Sequence, residues 1–119
     1  VAAFSKHMEK EGMLDRVVLC AFSEFGRRVK ENGSLGTDHG VAGPLFVVSG
    51  ACRGGIVGDA PDLGNLVQGD LPHAIDFRRV YATLLEDVLG LDSQPILGAS
   101  FEKLALLEGR RGGGKTAEV

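Results

Sequence analysis

Hydrophobic and polar positions alternate along the chain in three distinct rhythms. Over residues 1–10 the pattern predicts a helix, with Phe4 and Met8 one turn apart and charges elsewhere, and Gly12 supplies a stop. Residues 16–22 (RVVLCAF) form a continuous apolar run with adjacent valines, the pattern of a strand buried on both faces. A second such run lies at 44–49 (PLFVVS), and 54–58 reads as a short edge strand. Between the two runs, residues 31–40 are polar and Gly-rich with neither a helical nor a strand period, and 61–70 reads as loop. Helical spacing returns over 76–89, where Phe77, Val80, Tyr81, Leu84, Leu85 and Val88 share one face. Asp76 fits that helix as N-cap and Gly90 as the residue past its end. Residues 101–107 predict a short amphipathic helix or strand.

Helix, Gly turn and buried strand make half of a β-α-β unit. The expected architecture is therefore α/β, a partial doubly wound and mostly parallel sheet flanked by helices. It would form one domain over 1–108, followed by a Gly-rich tail at 109–119. Two firm strands are thin for a free-standing parallel sheet, whose edges need cover. The chain therefore reads as part of a larger fold or as a protomer that pairs.

Composition narrows the function classes. The 119 residues carry 13 Lys and Arg against 16 Asp and Glu, a formal charge of −3, without the basic stripe that a nucleic-acid surface needs. No apolar run reaches the ~18 residues of a membrane span, and no basic-then-apolar leader is visible. Nucleic acid and membrane are thus not expected partners. The two cysteines, Cys20 and Cys52, are too far apart for a Cys-x-x-Cys motif and read as buried, inert thiols.

Candidate chemistry concentrates after the first strand. Ser23-Glu24-Phe25-Gly26-Arg27-Arg28 would lie at the carboxyl end of a buried strand, where open α/β sheets place their ligands. In Thr37-Asp38-His39-Gly40, carboxylate and imidazole can both ligate a divalent metal, or Asp38 can orient His39. Asp38 and His39 also read as an Asx-type turn with an exposed imidazole, and Glu24 as a surface ion pair with Arg27 or Arg28. His7 and His73 have no partner at ligand spacing, Asp62, Asp70 and Asp76 read as turn and cap residues, and Tyr81 reads as core. Residues 109–116 (GRRGGGKT) spell the phosphate-loop expression, but only three residues follow and no helix N-terminus can form to hold a phosphate.

Taken in order, VVLCAFSEFGRR, GTDHG, GPLFVVSG with RGG downstream, and DFRRVYATLLEDVLG cover nearly the whole of residues 1–107. Together they resemble the C-terminal part of the domain-of-unknown-function family fifteen-zero-one, bacterial proteins of the alkaline phosphatase-like superfamily. That resemblance implies a doubly wound sheet and a metal-dependent hydrolase acting on phosphate, sulfate or another ester. Glu24, Asp38 and His39 would hold a divalent ion (zinc, manganese or calcium), and Arg27 or Arg28 would meet the anionic group. Phe25 stands where the superfamily has a ligand His, and a phenyl ring cannot ligate a metal. The resemblance also implies export, and a nucleophile supplied by an N-terminal half. A non-catalytic α/β binding or self-assembly module, acting as a homo-oligomer, is the alternative.

Overall fold

The two apolar runs become strands and pair with each other, but in the opposite sense to the one expected. The computed structural model describes residues 1–108. β1 (Leu19–Ala21) and β4 (Phe46–Val48) form a two-stranded antiparallel sheet in the register Leu19 to Val48, Cys20 to Val47 and Ala21 to Phe46. A second antiparallel pair joins β2 (Gly26–Glu31) to β3 (Thr37–Gly40). The expected parallel, doubly wound sheet is therefore corrected to two small antiparallel ribbons. The connection explains the reversal. Parallel neighbours need a crossover, usually helical, whereas the residues between β1 and β4 fold into the β2–β3 hairpin and bring the chain straight back.

Helix α1 (Ala2–Lys10) precedes β1 and ends as expected, with Gly12 in the left-handed region at φ +65°. A single 3₁₀ turn, Leu14–Arg16, leads into β1. There the Leu14 carbonyl accepts from the Gly50 amide at 3.1 Å and from the Ser49 hydroxyl at 3.3 Å, tying the entry of β1 to the exit of β4.

Helix α2 (Phe77–Thr83) is capped by Asp76, whose Oδ1 accepts from the Arg78 amide at 2.9 Å. The expected helix does not run through to residue 89 in one form. It widens into a π turn over Leu84–Val88, and Gly90 then leaves at φ +66°. Ser93, buried before the short helix α3 (Gln94–Leu97), donates to Glu86 Oε1 at 2.6 Å. Residues 101–107 are neither helix nor strand apart from one bridge between Cys52 and Leu107. The segment is held by Thr83, fully buried, whose hydroxyl donates to the Arg79 carbonyl at 2.7 Å and accepts from the Leu104 amide at 2.9 Å.

Among the described residues the buried apolar side chains are Val80 and Ala82, both on α2. Tyr81, expected in the core, is half-buried and makes edge-to-face contacts with Phe22 and Phe77 at 6.3 and 5.3 Å. The edge strand expected at 54–58 does not form, because Gly54, Gly55 and Gly58 all adopt positive φ. The tail and its phosphate-loop letters at 109–116 lie outside the described residues.

Candidate functional site

Residues 31–40, expected to be irregular, instead supply the end of β2, the turn and β3 of the hairpin that carries the candidate residues. Its turn is organised by Asn32, whose Oδ1 accepts from the Ser34 amide at 2.9 Å and the Gly36 amide at 3.1 Å. The Asn32-Gly33 pair is a recognised hairpin-turn signal and marks the place. At the other end Gly26 faces Gly40, and neither position has room for a side chain. A Cβ on Gly26 would collide with the Ala42 carbonyl oxygen. On Gly40 it would lie 2.8 Å from the Arg27 carbonyl carbon and 2.9 Å from Asp70 Oδ1.

Asp70 is the buried carboxylate of this region. Its Oδ2 accepts from the Val41 amide at 3.0 Å and its Oδ1 from the Leu71 amide at 2.8 Å, which fastens the end of β3 to the turn at 67–70. The expectation of a simple turn residue missed this role, because nothing in the spacing links position 70 to position 41.

Asp38 and His39 are consecutive in β3, so their side chains leave opposite faces of the ribbon. Asp38 faces a cavity of about 630 Å³ that Arg28, Lys30 and Gln68 also line, and its Oδ1 accepts from Asn32 Nδ2 at 3.0 Å. His39 lies flat on the Phe25 ring, with centroids 3.5 Å apart and planes 14° from parallel. Arg27, cross-strand from His39, sets its guanidinium 5.1 Å from the same Phe25 ring and donates to the Thr37 carbonyl at 2.8 Å. Arg28 is turned away, donating to the Gln68 carbonyl at 2.5 Å. Glu24 is exposed just before β2, at the edge of a separate, largely apolar cleft. Among the described residues none of Glu24, Asp38, Arg27 and Arg28 forms an ion pair, so the expected surface pair of Glu24 is not seen.

This placement fits one shared ion poorly. Asp38 is on the far side of the ribbon from His39, and the third residue of the set, Glu24, precedes β2 on the cleft side. Among the described residues, no three His, Cys, Asp or Glu side chains are grouped to hold a metal. What the structure does bring together is Phe25, Arg27 and His39, an aromatic ring contacted by an imidazole and a guanidinium, next to Glu24. His7 and His73 are both exposed.

The cleft beside Glu24 has a volume of about 1010 Å³ and runs between the β1–β4 sheet and α2. Phe22, Phe46, Ile56, Phe77 and Tyr81 line it, and the first four are exposed. Cys52 also lines it; both cysteines, expected to be buried, are half-buried, and partial burial pushes the Cys20 thiol above its ordinary pKa.

The chain is thus a small mixed α and β unit with two antiparallel ribbons, an open apolar cleft and a cationic–aromatic cluster at the cleft's edge. It belongs to the family described as Protein of unknown function (DUF1501), whose model matches residues 1–110. No curated protein and no solved structure matches it.

Proposed function

We propose that this chain works by association, as a binding and self-assembly module, and not as a self-sufficient catalyst. The observation that carries the reading is surface that a lone globule would not leave in water. A monomer of 12.5 kDa exposes about 6,200 Å², whereas this chain exposes 9362 Å². Setting residues 109–119 aside at the largest surface their mass allows leaves a surplus of about 2,000 Å². Much of it is apolar: Ile56 is 95% exposed, Phe46 61% and Phe22 60%.

A second reading, the metal-dependent hydrolase acting on an anionic ester, is favoured by one observation: Arg27 and His39 both contact the ring of Phe25, which with Glu24 lines the cleft. On that reading the site is a half-site, finished by groups from an N-terminal half. One assay separates the two. The purified chain is given aryl phosphate and aryl sulfate esters, with and without zinc, manganese or calcium, beside His39→Ala and Asp38→Ala. Association without catalysis predicts background hydrolysis throughout, unchanged in both variants. Metal-dependent turnover that disappears in both variants would overturn it and establish the hydrolase.

A further inference from the structure

We infer that Asn32 is a self-modification site: in the folded chain its side-chain amide converts spontaneously to a carboxylate, and the new charge loosens the hairpin turn. The inference is independent of the association reading above.

Asn32 and Gly33 supply the reactants. The Gly33 amide nitrogen gives its proton to solvent base and bonds to Asn32 Cγ. The Cγ–Nδ2 bond breaks, and Nδ2 takes up a proton and leaves as ammonia. Water then opens the resulting cyclic imide at either carbonyl, leaving aspartate or isoaspartate at position 32. The turn favours this chemistry in two ways. Attack needs an unhindered nitrogen, and glycine brings no side chain beside it. Gly33 is exposed, a Cβ there would meet nothing within 4 Å, and its backbone lies outside the left-handed region, so the fold itself does not require glycine there. Negative charge grows on Oδ1 as Cγ becomes tetrahedral. That oxygen already accepts from the Ser34 and Gly36 amides at 2.9 and 3.1 Å, a donor pair of the kind that stabilises an oxyanion.

The consequence lies at Nδ2, which donates to Asp38 Oδ1 at 3.0 Å. Conversion replaces that donor with an anionic oxygen, so a hydrogen bond becomes a repulsion between two carboxylates. The formal charge of −3 gains one further negative unit. Neither neighbouring cation is engaged with Asp38: Arg28 donates to the Gln68 carbonyl, and among the described residues Lys30 forms no ion pair.

The test holds the full chain in warm, mildly alkaline buffer and follows the peptides containing Asn32 and Asn65 by mass spectrometry, beside Gly33→Ala. The expected result is steady conversion at Asn32 and far less at Asn65, which precedes Leu66. The rate at Asn32 is expected to fall at least about 10-fold in Gly33→Ala. Conversion that occurs only after unfolding in urea would overturn the inference, since the fold would then be protecting the amide. An undiminished rate in Gly33→Ala would do the same. Asn32→Asp supplies the product with an ordinary backbone directly. Its unfolding midpoint in dilute salt is expected to lie below that of the wild type, and the difference to vanish when both chains also carry Asp38→Asn. A midpoint that does not fall, or a fall that persists with Asp38→Asn, would sink the claim that the new charge acts through Asp38.

Discussion

The imidazole of His39 lies against the ring of Phe25 with centroids 3.5 Å apart and planes inclined by 14°. The stack joins the hairpin to the residue that precedes it. It also commits His39 to the face away from Asp38, so two adjacent polar residues work in different surroundings.

Substituting Phe25 tests that commitment. Phe25→Leu keeps an apolar side chain of similar length and removes the ring. Loss of an aromatic stack costs about 1 kcal/mol beyond area, so urea unfolding is expected to show that loss. The His39 ring protons, freed from the ring current of Phe25, are expected to shift downfield in the proton spectrum. Unchanged His39 resonances would mean that the two rings do not stack in solution.

Asp70 supplies a stronger contrast. Its two oxygens satisfy the Val41 and Leu71 amides, and alanine would leave both donors without a partner. The bonds are part-buried and water can reach the exposed Val41, so one orphaned donor's cost, about 1–3 kcal/mol, is the loss expected for Asp70→Ala in thermal unfolding. Asp70→Asn keeps one acceptor oxygen and should fall between. Equal stability for alanine and wild type would contradict the clamp between β3 and the 67–70 turn.

Thr83 is a clamp of a different kind, from a helix to an irregular segment. Thr83→Val preserves shape but removes the oxygen that accepts from the Leu104 amide. The expected cost is about 1–3 kcal/mol. The sharper readout is hydrogen exchange at Leu104, whose amide should exchange faster in the variant while amides of α1 do not change. Protection of Leu104 that survives the substitution would show that Thr83 is not its partner.

Acid sensitivity follows from Asp76. The Arg78 side chain and amide both donate to its carboxylate and hold its pKa at about 2, below the ordinary 3.8. A carboxyl depressed by folding contributes stability that is complete above 3.8 and lost as pH falls toward 2. Asp76→Asn is therefore expected to flatten the decline of the unfolding midpoint across that window while leaving its slope near neutrality alone. A carboxyl-carbon titration of Asp76 near 3.8 would contradict the arrangement.

The local signals in this sequence were legible and the long-range ones were not. Asp76 capping α2, Gly12 ending α1 and Gly90 leaving the second helix were all readable, because each depends on neighbours within a few residues. The apolar runs at 16–22 and 44–49 did give strands, although short ones. Their direction was hidden, since an apolar run looks alike in parallel and antiparallel pairs. The decisive β2–β3 hairpin was missed because its strands, GRRVKE and TDHG, are mostly polar and show no alternation. Missing it made Asp38 and His39 look like neighbours in a loop, where they could converge, and not like opposite faces of a strand. The open cleft could not be read either, because apolar residues announce burial without saying against what.

The hairpin's irregular register has a consequence for insertions and deletions. Arg27 faces His39, yet Glu31 faces Thr37, so β2 spends four steps where β3 spends two. Both counts are even, and side chains keep their sides across the irregularity. Removing one residue there would change the parity and turn every later side chain of β2 through to the other face. A one-residue deletion would thus exchange which of Val29 and Lys30 stands beside Asp38, without altering a single retained residue. Chain length between Arg27 and Glu31 carries as much chemical information as the side chains themselves.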